Sequence, residues 1–367
     1  MKRVVLASFD PVPAPKGASQ HILANHRILK RDYDVSLITL GQEPIERIRH
    51  RPVQLAAGNW LRRAYDFRER VEEIFEKNDF DIYHVRSSFE GLAVPPGKTT
   101  IFEVNGLHSV EASYHYPDVG SAPHIREKLR AQELVLLDRA SKIITTNRVT
   151  ARYLSDLGVP ASDVALVPNI PSIPVGTTHG HRPDGSPFRA CYLGTLAPWQ
   201  GLYECILALA KVEVPVELTL LTGSGKGFRK SLTRLARKKN VRLRFADTLG
   251  GAELAEFLKT QDVGLAPLVP CERNVIMGCM PIKVLDYMAA GLPVVAPDME
   301  VIRDMVGPDY PLYPRYRRRG LSESVAALAQ DASMGQQLGK AGLERVKEAY
   351  TPQIQAEKLR AIYRGLN

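Results

Sequence analysis

The strongest constraint on the fold of this chain is a repeated alternation of short apolar runs with segments of helical periodicity. Apolar runs at residues 4–8 and 35–39 flank a helical pattern at 19–30, and the alternation continues to a run at 164–167. This alternation is typical of parallel sheets whose connections are helices. The chain is therefore predicted to be an α/β protein.

The alternation is interrupted once, near the middle of the chain. Residues 169–188 carry four prolines, three glycines and two histidines without periodicity, which is typical of a linker, and the alternation restarts at 190–193. A chain of 367 residues also exceeds the size at which a single core keeps growing. We predict a first domain over 1–170, a second over 171–350 and a terminal helical segment over 351–367.

The net charge of the chain is +9, which favours anionic partners such as nucleotide phosphates, nucleic acid or an anionic membrane surface. Aromatic residues make up only 7% of the chain and no aromatic RNA-binding motif is present, so no nucleic-acid partner is predicted. No apolar run approaches the roughly 18 residues of a membrane span, and the run at 4–9 is too short for a signal peptide. We expect a cytoplasmic protein that binds at most a membrane surface.

Neither cysteines nor histidines form a pattern that holds a metal. The four cysteines have no CxxC spacing and are expected to be free thiols. The pairs Asp32/Asp34 and Asp79/Asp81 resemble a D-x-D metal motif, but both come at strand starts, whereas the motif needs a strand end. We predict no metal and no cofactor other than the substrate itself.

Residues 281–298 read as a short helix followed by a buried strand. Pro281 suits the first helical position, and Gly291 suits the position just past the helix end. Lys283 is unexpected in the first turn, because the helix dipole favours an anion there. A bound phosphate would make this lysine favourable, but Asp286 shares its face and a surface Lys–Asp pair is the other interpretation. The spacing alone leaves both open.

The stretch P-I-K-V-L-D-Y-M-A-A-G-L-P-V-V-A resembles the nucleotide-sugar signature of family-4 glycosyltransferases, P-x-K-x-x-E-Y-M-A-x-G-x-P-V-V. The resemblance covers nearly the whole chain. It implies a GT-B-like α/β fold: two Rossmann-like doubly wound domains with an interdomain cleft, and a last helix that crosses back to the first domain. It also implies that Asp286 holds the donor ribose and Lys283 lies near the diphosphate, within a donor-binding segment that includes Pro281 and Val284.

A second family motif, G-R-L-x-x-x-K-G, corresponds to Gly194, Thr195, Gln200 and Gly201. The arginine and lysine that clamp the diphosphate in the family are replaced here by Thr195 and Gln200. These side chains donate hydrogen bonds but bring no charge, and charge-assisted bonds are roughly twice as strong. Either Lys283 and helix dipoles suffice, or the donor differs, or the chain is a non-catalytic relative.

Two more glycines are assigned to the donor site. Gly223 belongs to a G-x-G that follows a strand where the family carries such a motif beside the nucleotide. Gly278 stands where the first acid of the family's E-x7-E pair is expected, so only its backbone could meet the sugar.

The first half supplies a turn and a strand end. Gly17 lies in the small-residue turn 15–19, in which Ser19 suits a helix N-cap. The resemblance implies that a Gly-rich loop at this point contacts the donor phosphate or the acceptor, so Gly17 is assigned to the donor site. Glu103 and Asn105 end a buried strand, and the family often has a histidine near the position of Asn105. Asparagine can bond a sugar hydroxyl but cannot titrate, while Glu103 or Glu111 could act as acid or base if buried. We assign Glu103 and Asn105 as catalytic candidates.

The resemblance implies a retaining glycosyltransferase of the hexosyltransferase type (EC 2.4). It would move a sugar from a nucleoside-diphosphate-sugar donor to a hydroxyl of a glycan or lipid-linked acceptor, in cell-surface polysaccharide or glycolipid synthesis. A non-catalytic nucleotide-sugar-binding or scaffolding relative, or a sugar-nucleotide epimerase on the same fold, are the alternatives. The arginines between Arg47 and Arg70 predict peripheral binding to an anionic membrane, at the inner face of the plasma membrane.

Overall fold

The computed structural model describes residues 1–14, 17–176, 186–223 and 225–366. The chain divides into two compact units: Met1–Pro168 with Gln353–Asn367, and Asn169–Pro352. The divisions fall at 168/169 and 352/353, beside the predicted 170/171 and 350/351.

The first unit is built on a parallel sheet of seven strands. In chain order these are β1 (Arg3–Pro11), β2 (Asp34–Leu40), β3 (Arg49–Val53), β4 (Ile82–Val85), β5 (Thr99–Val104), β6 (Lys142–Thr145) and β7 (Val164–Leu166). The spatial order is β3-β2-β1-β4-β5-β6-β7. Every residue of β4 is buried and β5 is buried over its last five residues, as expected for central parallel strands covered on both faces.

Helices connect these strands. They are α1 (Gly17–Leu29), α2 (Trp60–Lys77), α3 (Ser88–Gly91), α4 (His108–His115), α5 (Pro117–Gly120), α6 (Pro123–Arg139) and α7 (Arg148–Asp156). The short helices α3, α4 and α5 have no counterpart in the sequence prediction, because pieces of one or two turns are too short to show a helical period.

Strand β3 was also missed from the sequence. It lies at the sheet edge and reads Arg-His-Arg-Pro-Val, with Arg49 and Arg51 exposed and Pro52 half-buried. Charged residues and proline are typical of an edge strand, where they discourage pairing with another chain. The same residues hide the apolar signal by which a strand is recognised.

The second unit repeats the topology with five parallel strands in the order β10-β9-β8-β11-β12. The strands are β8 (Phe188–Leu193), β9 (Val216–Leu221), β10 (Arg242–Ala246), β11 (Val263–Leu265) and β12 (Val294–Val295). The helices are α8 (Leu202–Leu209), α9 (Lys226–Lys238), α10 (Gly251–Lys259), α11 (Ile282–Ala289), α12 (Glu300–Val306), α13 (Arg318–Gln330) and α14 (Ala332–Ala349). In each sheet the first strand lies inside and the order reverses beside it, which is the doubly wound, Rossmann-like arrangement.

The last helix, α15 (Pro352–Gly365), belongs to the first unit although it follows the second in sequence. Its Leu359 and Tyr363 are fully buried in the apolar cluster that contains Leu29 and Tyr33. The Tyr33 and Tyr363 rings lie 5.3 Å apart between centroids. The first core is therefore completed by residues from the far end of the chain.

Candidate functional site

In doubly wound sheets, ligands bind at the carboxyl ends of the strands, where the strand order reverses. In the second unit this point lies between β8 and β11, and Gly194 and Ala266 directly follow these strands. In the first unit it lies between β1 and β4, beside the end of β5. The predicted site residues separate into two groups, one at each of these places.

Helix α11 is fixed to its sheet by Tyr287. The Tyr287 hydroxyl accepts a hydrogen bond from the Leu193 N–H (3.0 Å) and donates one to the Leu265 carbonyl (3.2 Å). Its ring packs on Gly264, where any Cβ would overlap the aromatic carbons. These contacts hold the first turn of α11 at the carboxyl edge. The helix begins at Ile282, so Pro281 is its N-cap rather than its first residue, which corrects the predicted start.

Lys283 is half-buried and its ammonium has defined partners. Nζ donates to Gln200 Oε1 at 2.6 Å and lies 3.9 Å from the centroid of the Tyr192 ring. A Cβ on Gly194 would lie 3.3 Å from Nζ, so the glycine leaves room for the ammonium. Burial, and then the nearby charge of Arg273, hold the pKa of Lys283 well below its usual range.

Asp286 does not pair with Lys283 among the residues that the structure describes. Its Oδ1 instead accepts two bonds from Ser172, one from the backbone N–H (2.6 Å) and one from the hydroxyl (2.9 Å). The interpretation of a surface Lys–Asp pair is therefore wrong. Burial raises the pKa of Asp286 to about 6, and the two bonds from Ser172 only partly oppose this.

The loop after β8 presents Gln200 and hides Gly201. Gln200 is buried and its amide oxygen is the partner of Lys283, so it holds the lysine in place. Gly201 has a φ of 69°, and a Cβ there would overlap the Pro267 carbonyl, so only glycine fits. Thr195 is exposed, and its carbonyl accepts a bond from the Tyr192 hydroxyl (2.7 Å).

Arg273 is a site residue that the sequence reasoning missed. It lies on a π-helical turn, Glu272–Ile276, after β11. The guanidinium lies 5.8 Å from the centroid of the Trp199 ring, and Asn274 Nδ2 donates to the Trp199 carbonyl (3.3 Å). The turn is thus fastened to the Gln200 loop, and Arg273 is close enough to depress the pKa of Lys283. In the sequence, its position in the loop after a strand was the only indication that Arg273 could belong to the site.

Three further predicted positions surround this group. Gly223 is exposed two residues after the end of β9, and Gly278 is buried with a φ of 77°. Val284 is fully buried, and its N–H donates to the Pro281 carbonyl at 3.0 Å. Its side chain belongs to the core under α11, so the assignment of Val284 as a donor contact is corrected to a supporting role.

In the first unit, Glu103 is the centre of a buried polar network. Five side chains direct nitrogen atoms at its carboxylate: His21 Nε2 (2.9 Å), Arg86 Nε (3.1 Å), His84 Nε2 (3.1 Å), Asn25 Nδ2 (2.9 Å) and Asn105 Nδ2. Burial alone would raise the pKa of Glu103, but the charges of His21 and Arg86 and the hydrogen bonds outweigh it and hold that pKa well below its usual range.

This saturation changes the role assigned to Glu103. A general base needs a free lone pair and a pKa near the working pH. Glu103 stays ionised and its oxygens are occupied by donors from α1, β4 and the Arg86 turn. The geometry is that of a positioning residue, which orients the half-buried amide of Asn105 at the strand end.

The turn before α1 departs from the prediction in one respect. Helix α1 begins at Gly17, so Ser19 lies inside it and is not the N-cap. The Ser19 hydroxyl instead accepts a bond from the Ala14 N–H at 2.9 Å and so holds the preceding loop. Pro15 and Lys16 of the same motif lie outside the described residues.

Two structural properties bear on ligands and membranes. Across the ranges that the structure describes, no three acidic, histidine or cysteine side chains cluster as metal ligands would; the expectation of a metal-independent protein remains a prediction. In those same ranges, the helices are too short or too polar to cross a bilayer.

Two family models match the chain in succession. Residues 15–170 match the model described as Glycosyltransferase Family 4, and residues 187–331 match the model described as Glycosyl transferases group 1. No curated protein sequence matches the chain significantly.

Solved structures share the fold over the full length. Sucrose-phosphate synthase from Thermosynechococcus elongatus superposes with a TM-score of 0.80 at 18% identity, covering 100% of this chain and 99% of that one. HepE from Anabaena, in complex with UDP and glucose, gives 0.76 at 12% identity with full coverage of both chains. WaaG, a glycosyltransferase involved in lipopolysaccharide biosynthesis, gives 0.71 at 12% identity, with 98% and 99% covered. All three show that the fold is GT-B.

Proposed function

This chain belongs to the glycosyltransferases of family 4 and group 1, and we propose that it moves a sugar from a nucleoside-diphosphate donor to a hydroxyl of a glycan or lipid-linked acceptor. The observation that carries the proposal is the arrangement on α11, where Lys283 and Asp286 lie one turn apart with separate partners. Gln200 holds the cation proposed for the diphosphate, and Ser172 separately holds the acid proposed for the ribose.

The donor is proposed to be a nucleoside diphosphate sugar, with a uridine nucleotide as the first candidate. HepE, which shares the fold, was crystallised with UDP-glucose. In this chain the ribose hydroxyls would donate to Asp286 Oδ2, because Oδ1 already accepts two bonds from Ser172. Vicinal hydroxyls are good donors to a carboxylate, and such charge-assisted bonds are strong.

The diphosphate is proposed to bind between Lys283 and Arg273. Thr195 and Gln200 remove the two charges that the family motif normally supplies, and Arg273 restores one of them from a different loop. A bound anion would also favour the protonated form of Lys283, whose pKa is depressed in its absence. Fixed cations at a leaving group stabilise the charge that develops there, so we propose that no metal ion is required.

In the proposed reaction, the bond between the anomeric carbon and the diphosphate oxygen breaks and a bond to the acceptor oxygen forms. The acceptor proton leaves with the diphosphate, whose negative charge Lys283 and Arg273 neutralise. Asn105, oriented by Glu103, would hydrogen-bond a hydroxyl of the transferred sugar. Retention of the anomeric configuration is proposed from the family resemblance.

The proposal is tested by incubating the protein with UDP-glucose, UDP-galactose, UDP-N-acetylglucosamine and GDP-mannose and measuring nucleoside diphosphate release. One donor should release its nucleotide, and Asp286→Ala should bind that donor more weakly. Binding of a donor without release, even with candidate acceptors, would identify a non-catalytic relative. Conversion of one nucleotide sugar into another would identify an epimerase.

A further inference from the structure

The positive charge of this protein is concentrated in one short segment. Residues 226–246 contain nine lysines and arginines and no acidic residue, while the whole chain has 49 basic and 40 acidic residues. The rest of the sequence therefore carries 40 of each sign. The entire net charge of +9 lies in helix α9 and the adjoining edge strand β10.

Within this segment, four cations share one exposed face of α9, which we call the basic helix face, and a fifth follows at the C-cap. Lys230, Arg234, Arg237 and Lys238 follow the i, i+4, i+7, i+8 spacing of a single helix face, and Lys239 is the C-cap. The opposite side is apolar, with Leu232 and Ala236 buried in the core. The helix is thus sharply divided between a cationic and an apolar side.

Two other cations of the segment are directed elsewhere. Arg229 donates to the Thr222 carbonyl (3.2 Å) and lies 4.9 Å from the centroid of the Phe245 ring. Arg244 pairs with Glu217 at 3.2 Å. In contrast, neither the four cations of the basic helix face nor Lys239 has an acidic partner within the part of the chain that the structure describes.

Three of the seven arginines between Arg47 and Arg70 differ in this respect. Arg49 pairs with Asp34 at 2.6 Å, Arg62 lies 3.9 Å from Asp66, and Arg70 lies 3.2 Å from Glu73. Their charge is balanced locally, so they attract a distant anionic surface less than unpaired cations do. The cations of α9 form the denser cluster, because four of them lie within nine residues on one face of a helix, and the membrane expectation is therefore placed there.

We propose that the basic helix face docks on an anionic lipid bilayer. Four to eight cations on an amphipathic helix are the pattern that binds acidic headgroups. None of the large apolar side chains exposed in the described residues lies on α9, so the helix would rest among the headgroups without inserting. The face has no aromatic or amide side chain to stack on or read bases, which disfavours nucleic acid. This surface does not depend on the proposed transfer reaction.

The test measures co-sedimentation of the full chain with vesicles of phosphatidylcholine, with and without phosphatidylglycerol. Wild-type protein should bind only the anionic vesicles, and less at high salt, because exposed charges are screened. The variant R234Q/R237Q/K238Q should lose binding by about a hundredfold, since each cation near the surface contributes roughly fivefold. All three side chains are exposed, so circular dichroism and thermal unfolding should match the wild type.

A matched control removes the same charge from another exposed segment of the same unit. The variant R315Q/R317Q/R319Q should keep nearly wild-type vesicle binding. Equal loss in both variants would show that binding follows net charge, and retained binding in the α9 variant would refute the docking surface. Tighter binding to a DNA duplex than to anionic vesicles would also overturn the bilayer assignment. Lys283→Ala should leave vesicle binding intact, which separates this proposal from the donor site.

Discussion

At the scale of single residues, Lys283 shows how a local anomaly in sequence can point to a function. Its position in a first helical turn indicates an anion nearby, and the structure supplies none from Asp286. What the structure adds is Gln200, which fixes the ammonium, and Arg273, which brings a second positive charge. Two cations beside each other in a part-buried site are stabilised when an anion binds between them.

We expect Lys283→Ala to lower nucleotide release by about a hundredfold or more, because one fixed cation at a leaving group contributes on that order. Thermal stability without ligand should change little, since a half-buried ammonium with a depressed pKa contributes little to the stability of the fold. Steady-state kinetics and differential scanning calorimetry measure both effects.

Lys283→Met serves as the control for this experiment, because it keeps the apolar stem over Tyr192 and removes only the charge. Near-normal turnover in Lys283→Met would assign the residue to packing instead.

Asp286 should make donor binding depend on pH. Its folded-state pKa of about 6 lies above the ordinary 3.8, because burial disfavours the charged form. The ionised carboxylate, which accepts the ribose hydroxyls, is present above pH 6 and lost below it. Affinity for UDP-glucose, whose phosphates do not titrate in this range, should fall as the pH decreases through about 6 in calorimetry.

The raised pKa of Asp286 affects folding stability in the opposite direction to donor binding: stability decreases, rather than increases, as the pH rises. The folded protein binds a proton more tightly than the unfolded chain, so this group favours folding below about pH 4 and loses that effect as the pH rises through 6. Asp286→Asn removes the titration, and its donor affinity should be weak and independent of pH. A pH profile unchanged in Asp286→Asn would assign the titration to another group.

Residues within a motif were predictable from sequence, whereas residues joined by topology were not. Lys283 and Asp286 belong to one continuous stretch, so the motif alone could nominate them as site residues. The partners of Glu103 come from α1, β4 and the turn after β4, far apart in sequence. No spacing rule connects such residues, because the sheet brings them together.

At the scale of elements, the placement of α11 depends on the contact between Tyr287 and Gly264. Strand β11 could be read from its apolar run, but the need for a bare glycine in it could not, because the Tyr287 ring comes from a helix more than twenty residues later. The edge strand β3 is the opposite case, because its charged Arg49 and Arg51 make the strand itself hard to recognise from the sequence.

Gly264→Ala should displace the Tyr287 ring and tilt α11, because the added Cβ overlaps the ring. Overpacking of this kind costs about 1–3 kcal/mol, and donor affinity should fall together with stability. Chemical denaturation and calorimetry measure the two quantities. Gly335→Ala, a helical site where the added Cβ meets only ordinary contacts, is the control and should keep both. Unchanged donor affinity in a destabilised Gly264→Ala protein would show that α11 does not need this anchor.

At the scale of the whole molecule, helix α15 connects the end of the chain to the polar network of the first unit. The Tyr363 hydroxyl lies 2.7 Å from His84 Nδ1, and His84 Nε2 lies 3.1 Å from Glu103. The resemblance implied that the last helix returns to the first domain, but the link through His84 to Glu103 is specific to these side chains and had no sequence signal.

Tyr363→Phe should destabilise the protein by about 1–3 kcal/mol, because it leaves a buried histidine nitrogen without its partner. It should also reduce turnover, since His84 helps to fix Glu103 and through it Asn105. Urea unfolding and initial-rate measurements test this expectation. Tyr316→Phe, at a side chain 74% exposed, is the control. Full stability in Tyr363→Phe would mean that water replaces the hydroxyl without cost.

Because α15 packs on the first unit, the second unit can finish folding before the first one during synthesis. Domains usually fold as they emerge, the first one first. Here Leu359 and Tyr363 are translated after the whole second unit, yet they fill the core of the first unit. The second unit is complete at residue 352 and can fold while the first unit still exposes the apolar surface that α15 covers. We therefore expect chaperones to bind the first unit during synthesis, and residues 1–168 expressed alone should expose the apolar surface that α15 covers.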